Sequence, residues 1–201
     1  MEEITMPRMA SSRDQLVRNA EQLVHRRGFA ATSVNDVLAL TGVTKGAFYH
    51  HFPGKDDLEL AVLERAGKAF LEWLDEVLAG PSPRHKLERF FASALKHHRK
   101  ERFVGGCLFG NTALEMSDVN RRHADYVDGV FREWSNKIEI VIRAGQRVDQ
   151  IRDDIPARDL AETIVATMEG GIMLSRLRKS EKPLRTCINS LGPFLWSRGT
   201  S

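Results

Sequence analysis

An all-α fold of about nine helices is predicted by three observations. Apolar residues recur three and four apart over nearly the whole chain. Almost no segment alternates apolar and polar as a half-buried strand would. The breaks between the apolar runs hold Gly, Pro and the short polar residues that cap helices.

Each helix follows from its own residues. Leu16, Ala20, Leu23 and Val24 share one face of a first helix that starts after Ser11 or Ser12 and stops near Gly28. Thr32 or Ser33 caps a short second helix with Val34, Val37 and Leu38 inward, broken by Gly42. Thr44 caps a third of about nine residues, with Ala47, Phe48 and Phe52 inward and Pro53-Gly54 at its end. The fourth begins at Lys55 or Asp56, keeps one apolar stripe from Leu58 to Leu78, and is long enough to join two domains. Gly80-Pro81-Ser82-Pro83 is the clearest break in the chain. A fifth helix with Leu87, Phe90, Phe91, Ala94, Leu95 and His98 on one face then runs to the Gly105-Gly106 break. A short apolar sixth covers Cys107 to Met116. Asp118 or Asn120 caps a long seventh carrying Tyr126, Val127, Val130, Phe131, Trp134, Ile138, Val141 and Ile142. Two more follow, Ala157 to Arg178 and Glu181 to Leu195, the last frayed or kinked at Gly192-Pro193.

The chain of 201 residues, 42% hydrophobic, is large enough to bury a core without staples. Its two cysteines, Cys107 and Cys187, are too few for a disulfide framework, which points to a reducing compartment and a cytoplasmic location. No stretch approaches the ~20 apolar residues of a membrane span, so no membrane partner is expected. Catalysis finds no support either. The Gly-rich phosphate loop, the His-Glu-x-x-His zinc helix and the Gly-x-Ser-x-Gly elbow are all missing, and no two histidines stand at i,i+4. Neither enzyme activity, a metal nor a cofactor is expected.

Charge points elsewhere. Overall, 30 basic residues face 27 acidic ones, but from Arg8 to Lys55 seven Lys or Arg face three acids. Residues 33 to 52 within that basic quarter have the form of a helix-turn-helix: two short helices, a glycine-containing turn, and a second helix with a polar outer face for the major groove. Its apolar side fixes the crossing, leaving Thr44, Lys45, Tyr49 and His50 to reach bases and phosphates. Gly46 removes a side chain where backbones would approach closely. Free backbone N–H groups at two helix starts, near Thr32-Ser33 and at Gly54-Lys55, are suited to phosphate.

The stretches Gly28-Phe29-Ala30-Ala31-Thr32-Ser33-Val34-Asn35-Asp36-Val37 and Thr41-Gly42-Val43-Thr44-Lys45-Gly46-Ala47-Phe48-Tyr49-His50-His51-Phe52-Pro53-Gly54-Lys55 closely resemble the DNA-binding domain of the TetR/AcrR family. The resemblance covers residues 12 to about 60 and implies a homodimer on a palindromic double-stranded operator, usually repressing until a small-molecule effector releases it. It also implies DNA contacts at Thr32, Thr44, Lys45, Tyr49, His50 and Lys55, to which Gly46 is added from the recognition helix. The expected organisation is a disordered arm over 1–11, a helix-turn-helix domain over 12–56, and an effector-binding and dimerisation domain over 57–201.

In the C-terminal part the resemblance weakens and the residues speak for themselves. A pocket needs apolar walls and a few polar groups. Phe103, Cys107, Leu108, Asn111, Thr112 and Glu115, with Phe131 and Trp134 opposite, are the candidates. Cys107 follows a double glycine at a helix start, a setting that favours the thiolate and suggests redox or electrophile sensing. For the dimer, the resemblance implies pairing of the last two helices. Their stripe of Ile164, Met168, Gly171, Ile172, Leu184, Ile188, Leu191 and Leu195 would suit a monomer core equally, and position together with the resemblance makes it the expected interface.

Overall fold

The computed structural model describes residues 11–196, and among them the regular structure is helical, with one isolated bridge between Ile151 and Trp196. The arm expected over residues 1–11 lies outside the described residues except for Ser11, which caps the first helix. The chain forms two compact units that divide between Arg65 and Ala66.

In the first unit, α1 spans Ser12–Arg27, and Ser11 accepts a hydrogen bond from the Asp14 N–H at its start. Leu16, Val17, Ala20 and Val24 are its buried residues. Val17 is buried, whereas Leu23, expected on the inner face, is only half-buried. Gly28 ends α1 at φ +86°, where a side chain would be strained. The next helix, α2 (Val34–Thr41), opens with a full capping box: the Asp36 N–H donates to Ser33 Oγ, and the Ser33 N–H donates to the Asp36 carboxylate at 2.8 Å. Gly42, at φ +67°, turns the chain toward α3 (Lys45–His51), which Thr44 caps. Phe48 and Phe52 anchor α3, buried to 0% and 2% exposure.

α4 runs unbroken from Lys55 to Val77. Its first turns belong to the first unit, because Leu58 and Val62 line the same recess as Ala20, Val24 and Val37. Contacts therefore place the division some residues beyond the expected boundary at 56.

The second unit holds the rest of α4, then α5 (Pro83–Lys100), α6 (Leu108–Met116), α7 (Arg121–Gln146), α8 (Ala157–Arg178) and α9 (Lys182–Leu195). Ser82 and Asn120 cap α5 and α7 as short polar residues do. α7 packs against α5, α6 and α8, and α8 against α9. Their shared core holds Leu87, Phe90, Trp134, Ile138, Ile142, Leu160, Ile164 and Met168. Burial of each such side chain contributes roughly 1.5–3 kcal/mol. Pro183 sits in the first turn of α9, where a missing N–H costs nothing, and Pro193 lies inside the helix, which continues to Leu195.

The expected dimer interface needs correction. Ile164, Met168, Leu184 and Leu195 have no exposed surface, and Gly171, Ile172 and Leu191 are also buried, all within one chain. Ile188 is partly buried against the same core. A Cβ on Gly171 would meet Cys187 Sγ and Leu184 Cδ1 at 3.1 Å, so the small residue there lets α9 approach α8 of its own chain. Apart from the partly exposed Ile188, the apolar stripe is already filled within one chain.

Candidate functional site

The outer face of α3 carries Thr44, Lys45, Gly46, Tyr49 and His50, all exposed, with Tyr49 at 52%. The inner face is immobilised by rings: Phe48 meets Tyr49 edge-on at 5.1 Å and Phe52 at 5.8 Å. Arg13 lies over the Phe52 ring at 5.1 Å, and Ser12 Oγ is 2.6 Å from His51 Nε2, so the start of α1 holds the C-terminal end of α3. The side chains that point outward thus stand on a rigid support. Nothing lies within 4 Å of where a Gly46 Cβ would be, so the close approach expected at this glycine is not to the protein's own backbone.

Of the residues implied as DNA contacts, Thr32 is placed otherwise and Lys55 is partly engaged within the chain. Thr32 is 4% exposed; its hydroxyl donates to Gly28 O at 2.7 Å and its N–H to Phe29 O at 3.2 Å. Both of its donors are used inside the α1–α2 corner, which leaves none for a phosphate. At the adjacent helix start, the Ser33 N–H is taken by Asp36, whose carboxyl is held below its ordinary value chiefly by the Ser33 side chain. A fixed negative charge there opposes an anion. Lys55 donates from Nζ to Phe29 O at 2.8 Å and pairs with the buried Glu59 at 3.2 Å. The ammonium therefore ties the start of α4 to the α1–α2 corner, while staying partly accessible at 37% side-chain exposure.

The residues expected to line an effector pocket gather around α6. Cys107 is its N-cap, its Sγ accepting from the Gly110 N–H at 3.4 Å, and Leu108 is half-buried in the first turn. Phe103, buried with φ +56°, belongs to the turn after α5, its N–H donating to His98 O. Glu115 is half-buried. Phe131 stacks on Trp134 at 5.9 Å, and Trp134 meets Phe70 of α4 edge-on at 5.2 Å. Phe70 in turn touches Phe109 of α6 at 5.5 Å, so α4, α6 and α7 share one aromatic cluster.

Most polar groups expected to converge there are already satisfied. Asn111 donates to Gly105 O at 2.7 Å and accepts from Arg176 Nη1 at 2.6 Å. The Thr112 hydroxyl donates to Leu108 O one turn back, at 2.7 Å. Both sets of hydrogen bonds support α6. The thiolate expected at Cys107 is corrected: burial first, then the nearby Glu169 carboxylate, pushes the thiol well above its ordinary value. A helix N-terminus lowers a thiol's pKa when the sulfur stays solvated, and here desolvation outweighs it.

Two buried polar atoms are left over, one on the expected pocket residue Trp134 and one on Glu169, which the sequence reading does not single out. Trp134 is 3% exposed and its Nε1 donor has no acceptor. Glu169 of α8 has a buried Oε1 with no hydrogen-bond partner, and desolvation raises its carboxyl to about 7. A signal for Glu169 was available: it is the one charged residue between Glu162 and Arg176 in an otherwise uncharged run. No cluster of metal-binding side chains occurs among the described residues, nor is any helix long and apolar enough to cross a membrane.

A rigid short helix with a polar outer face, joined to a separate helical unit, defines a helix-turn-helix regulator. Residues 16–62 match the family model of bacterial regulatory proteins of the tetR family, and residues 83–191 match the tetracyclin repressor-like C-terminal domain. The chain belongs to the TetR family of transcriptional regulators. Among its relatives is the HTH-type transcriptional repressor DhaR of Mycobacterium sp. strain GP1, 27% identical over 86% of each chain. The crystal structure of a regulatory protein TetR from Rhodobacter sphaeroides superposes with a TM-score of 0.87 at 26% identity, over 92% of this chain and all of that one. A TetR regulator from Chloroflexus aurantiacus gives 0.83 at 32% identity, over 91% of this chain and 93% of that one.

Proposed function

We propose that the protein is a repressor that binds a palindromic operator as a homodimer and is released by a small-molecule effector. The observation that carries this reading is the exposed polar face of α3 on a locked apolar base. Lys45 donates to guanine or phosphate, Tyr49 and His50 reach phosphate or a thymine methyl, and the open space at Gly46 admits the DNA backbone. Lys55 and the start of α4 supply a flanking phosphate contact.

Dimerisation uses the outward faces of α8 and α9. On α8, Ala166, Gly170, Met173 and Leu177 recur at four, three and four residues, with Met173 53% and Leu177 76% exposed and nothing within 4 Å of a Gly170 Cβ. On α9, Thr186, Asn189 and Pro193 are exposed and uncharged. Small and apolar residues at this spacing let two helix pairs pack as a bundle. The effector acts in the second unit, and α4, the one helix common to both units, carries its effect to the reader.

Selection from a pool of random duplexes at two salt concentrations tests this. The expected result is a two-fold symmetric sequence whose retention falls steeply with salt. No enrichment at either salt would overturn it.

A further inference from the structure

Glu169 is half-buried with its Oε1 shut off from solvent, and among the described residues no cation pairs with it. It reaches α6 from α8 so closely that a Cβ on Gly110 would collide with its Oε2, and it hydrogen-bonds with the Cys107 thiol. Oε1 is buried with no hydrogen bond. Arg176, two turns further along the same face of α8, is engaged by Asn111. A carboxylate removed from water without a counter-charge is strongly disfavoured. The aromatic cluster starts one residue from Gly110, at Phe109, and continues through Phe70 to Trp134.

We infer that Glu169 is the counter-ion of an effector site between α6 and α8, and that the effector is a small organic cation, an ammonium group on an apolar body. This rests on the effector-responsive reading above. The ammonium meets the orphaned carboxylate oxygen while the apolar body meets aromatic faces, which attract cations. Gly110 is part of the site, since its missing side chain is what lets the carboxyl lie against the first turn of α6. Because burial holds Glu169 partly protonated near neutrality, cation binding at pH below about 7 drives its proton into solution. The titratable group facing it from α6 is Cys107, and Arg176 of α8 lies two turns further along.

Calorimetric titration of the full chain with 2-phenylethylammonium and with its neutral isostere 2-phenylethanol tests the inference, at about pH 8, where the amine is protonated. The ammonium is expected to bind roughly tenfold tighter than the alcohol. Glu169→Gln, close in shape, is expected to abolish that preference, and Gly110→Ala to weaken ammonium binding by displacing the carboxyl. Repeating the titration at about pH 6.5 in buffers of different ionisation enthalpy should reveal proton release that Glu169→Gln lacks. Equal binding of the two probes, binding of neither, or a preference unchanged in Glu169→Gln would overturn the cation site. Duplex retention by the same samples separates the two readings, since a protein that prefers the ammonium but retains no duplex loses the repressor reading alone.

Discussion

At the scale of the residue, a carboxyl whose pKa rises on folding penalises the folded state as pH increases. The native chain holds the Glu169 proton to about 7 and the unfolded chain only to 4.5, so stability contributed at low pH is lost between those values. Urea unfolding of wild type and Glu169→Gln should coincide below the lower value, diverge between the two, and keep a constant gap above the upper one. The variant should then be the more stable by about 3 kcal/mol; parallel curves across the range would contradict the assignment. Lys45, exposed and free to meet a phosphate, belongs to a different class. Lys45→Gln should weaken duplex binding and reduce the salt slope by about one, while changing unfolding by less than about 0.5 kcal/mol. Exposed polar residues of this kind were legible in the sequence, because the helical period and a local motif suffice to place them outside. Thr32, Asn111 and Cys107 were not. Their partners, the Gly28 carbonyl, Arg176 and Glu169, are set by turn geometry or by a helix 60 or more residues away, and a residue's type does not say which partner claims its hydrogen bonds.

At the scale of the element, the helices follow closely from local signals. Ser33, Thr44, Ser82 and Asn120 each stand where a short polar residue satisfies backbone N–H groups that no helix can satisfy by itself. Gly28 and Gly42 end α1 and α2 at positive φ. These are contacts between near neighbours along the chain, which is why residue order by itself makes them legible. Ser33→Ala removes one half of the α2 capping box and should destabilise the first unit by about 1 kcal/mol, measured by hydrogen exchange in α2, with the second unit unchanged. The exchange rates rising equally in both units would show that they unfold together. What periodicity leaves open is which apolar face meets which neighbour. Buried stripes on α8 and α9 read equally well as an interface or as a core, and only the packing of α9 back onto α8 decides that Ile164, Met168 and Leu184 are core.

At the scale of the whole molecule, that decision separates stability from assembly. Met168→Ala should cost roughly 2–5 kcal/mol in unfolding free energy and leave the protomer's outward face intact. Leu177→Glu places a charge on a side chain that touches little of its own chain. It should leave unfolding of the monomer almost unchanged, shift sedimentation from dimer to monomer and abolish tight operator binding. A dimer that survives Leu177→Glu would move the interface elsewhere. The division into two units also falls inside a continuous helix, not in a linker. A linker tolerates added residues, whereas a helix keeps phase: one residue inserted between Arg65 and Ala66 would turn all that follows by about 100° and lift it by about 1.5 Å. Chimeras that join this reader to the sensing half of a relative would therefore function only when the graft preserves the helical register of α4. Deletions and insertions near the junction should regain activity in steps of about seven residues, close to two full turns.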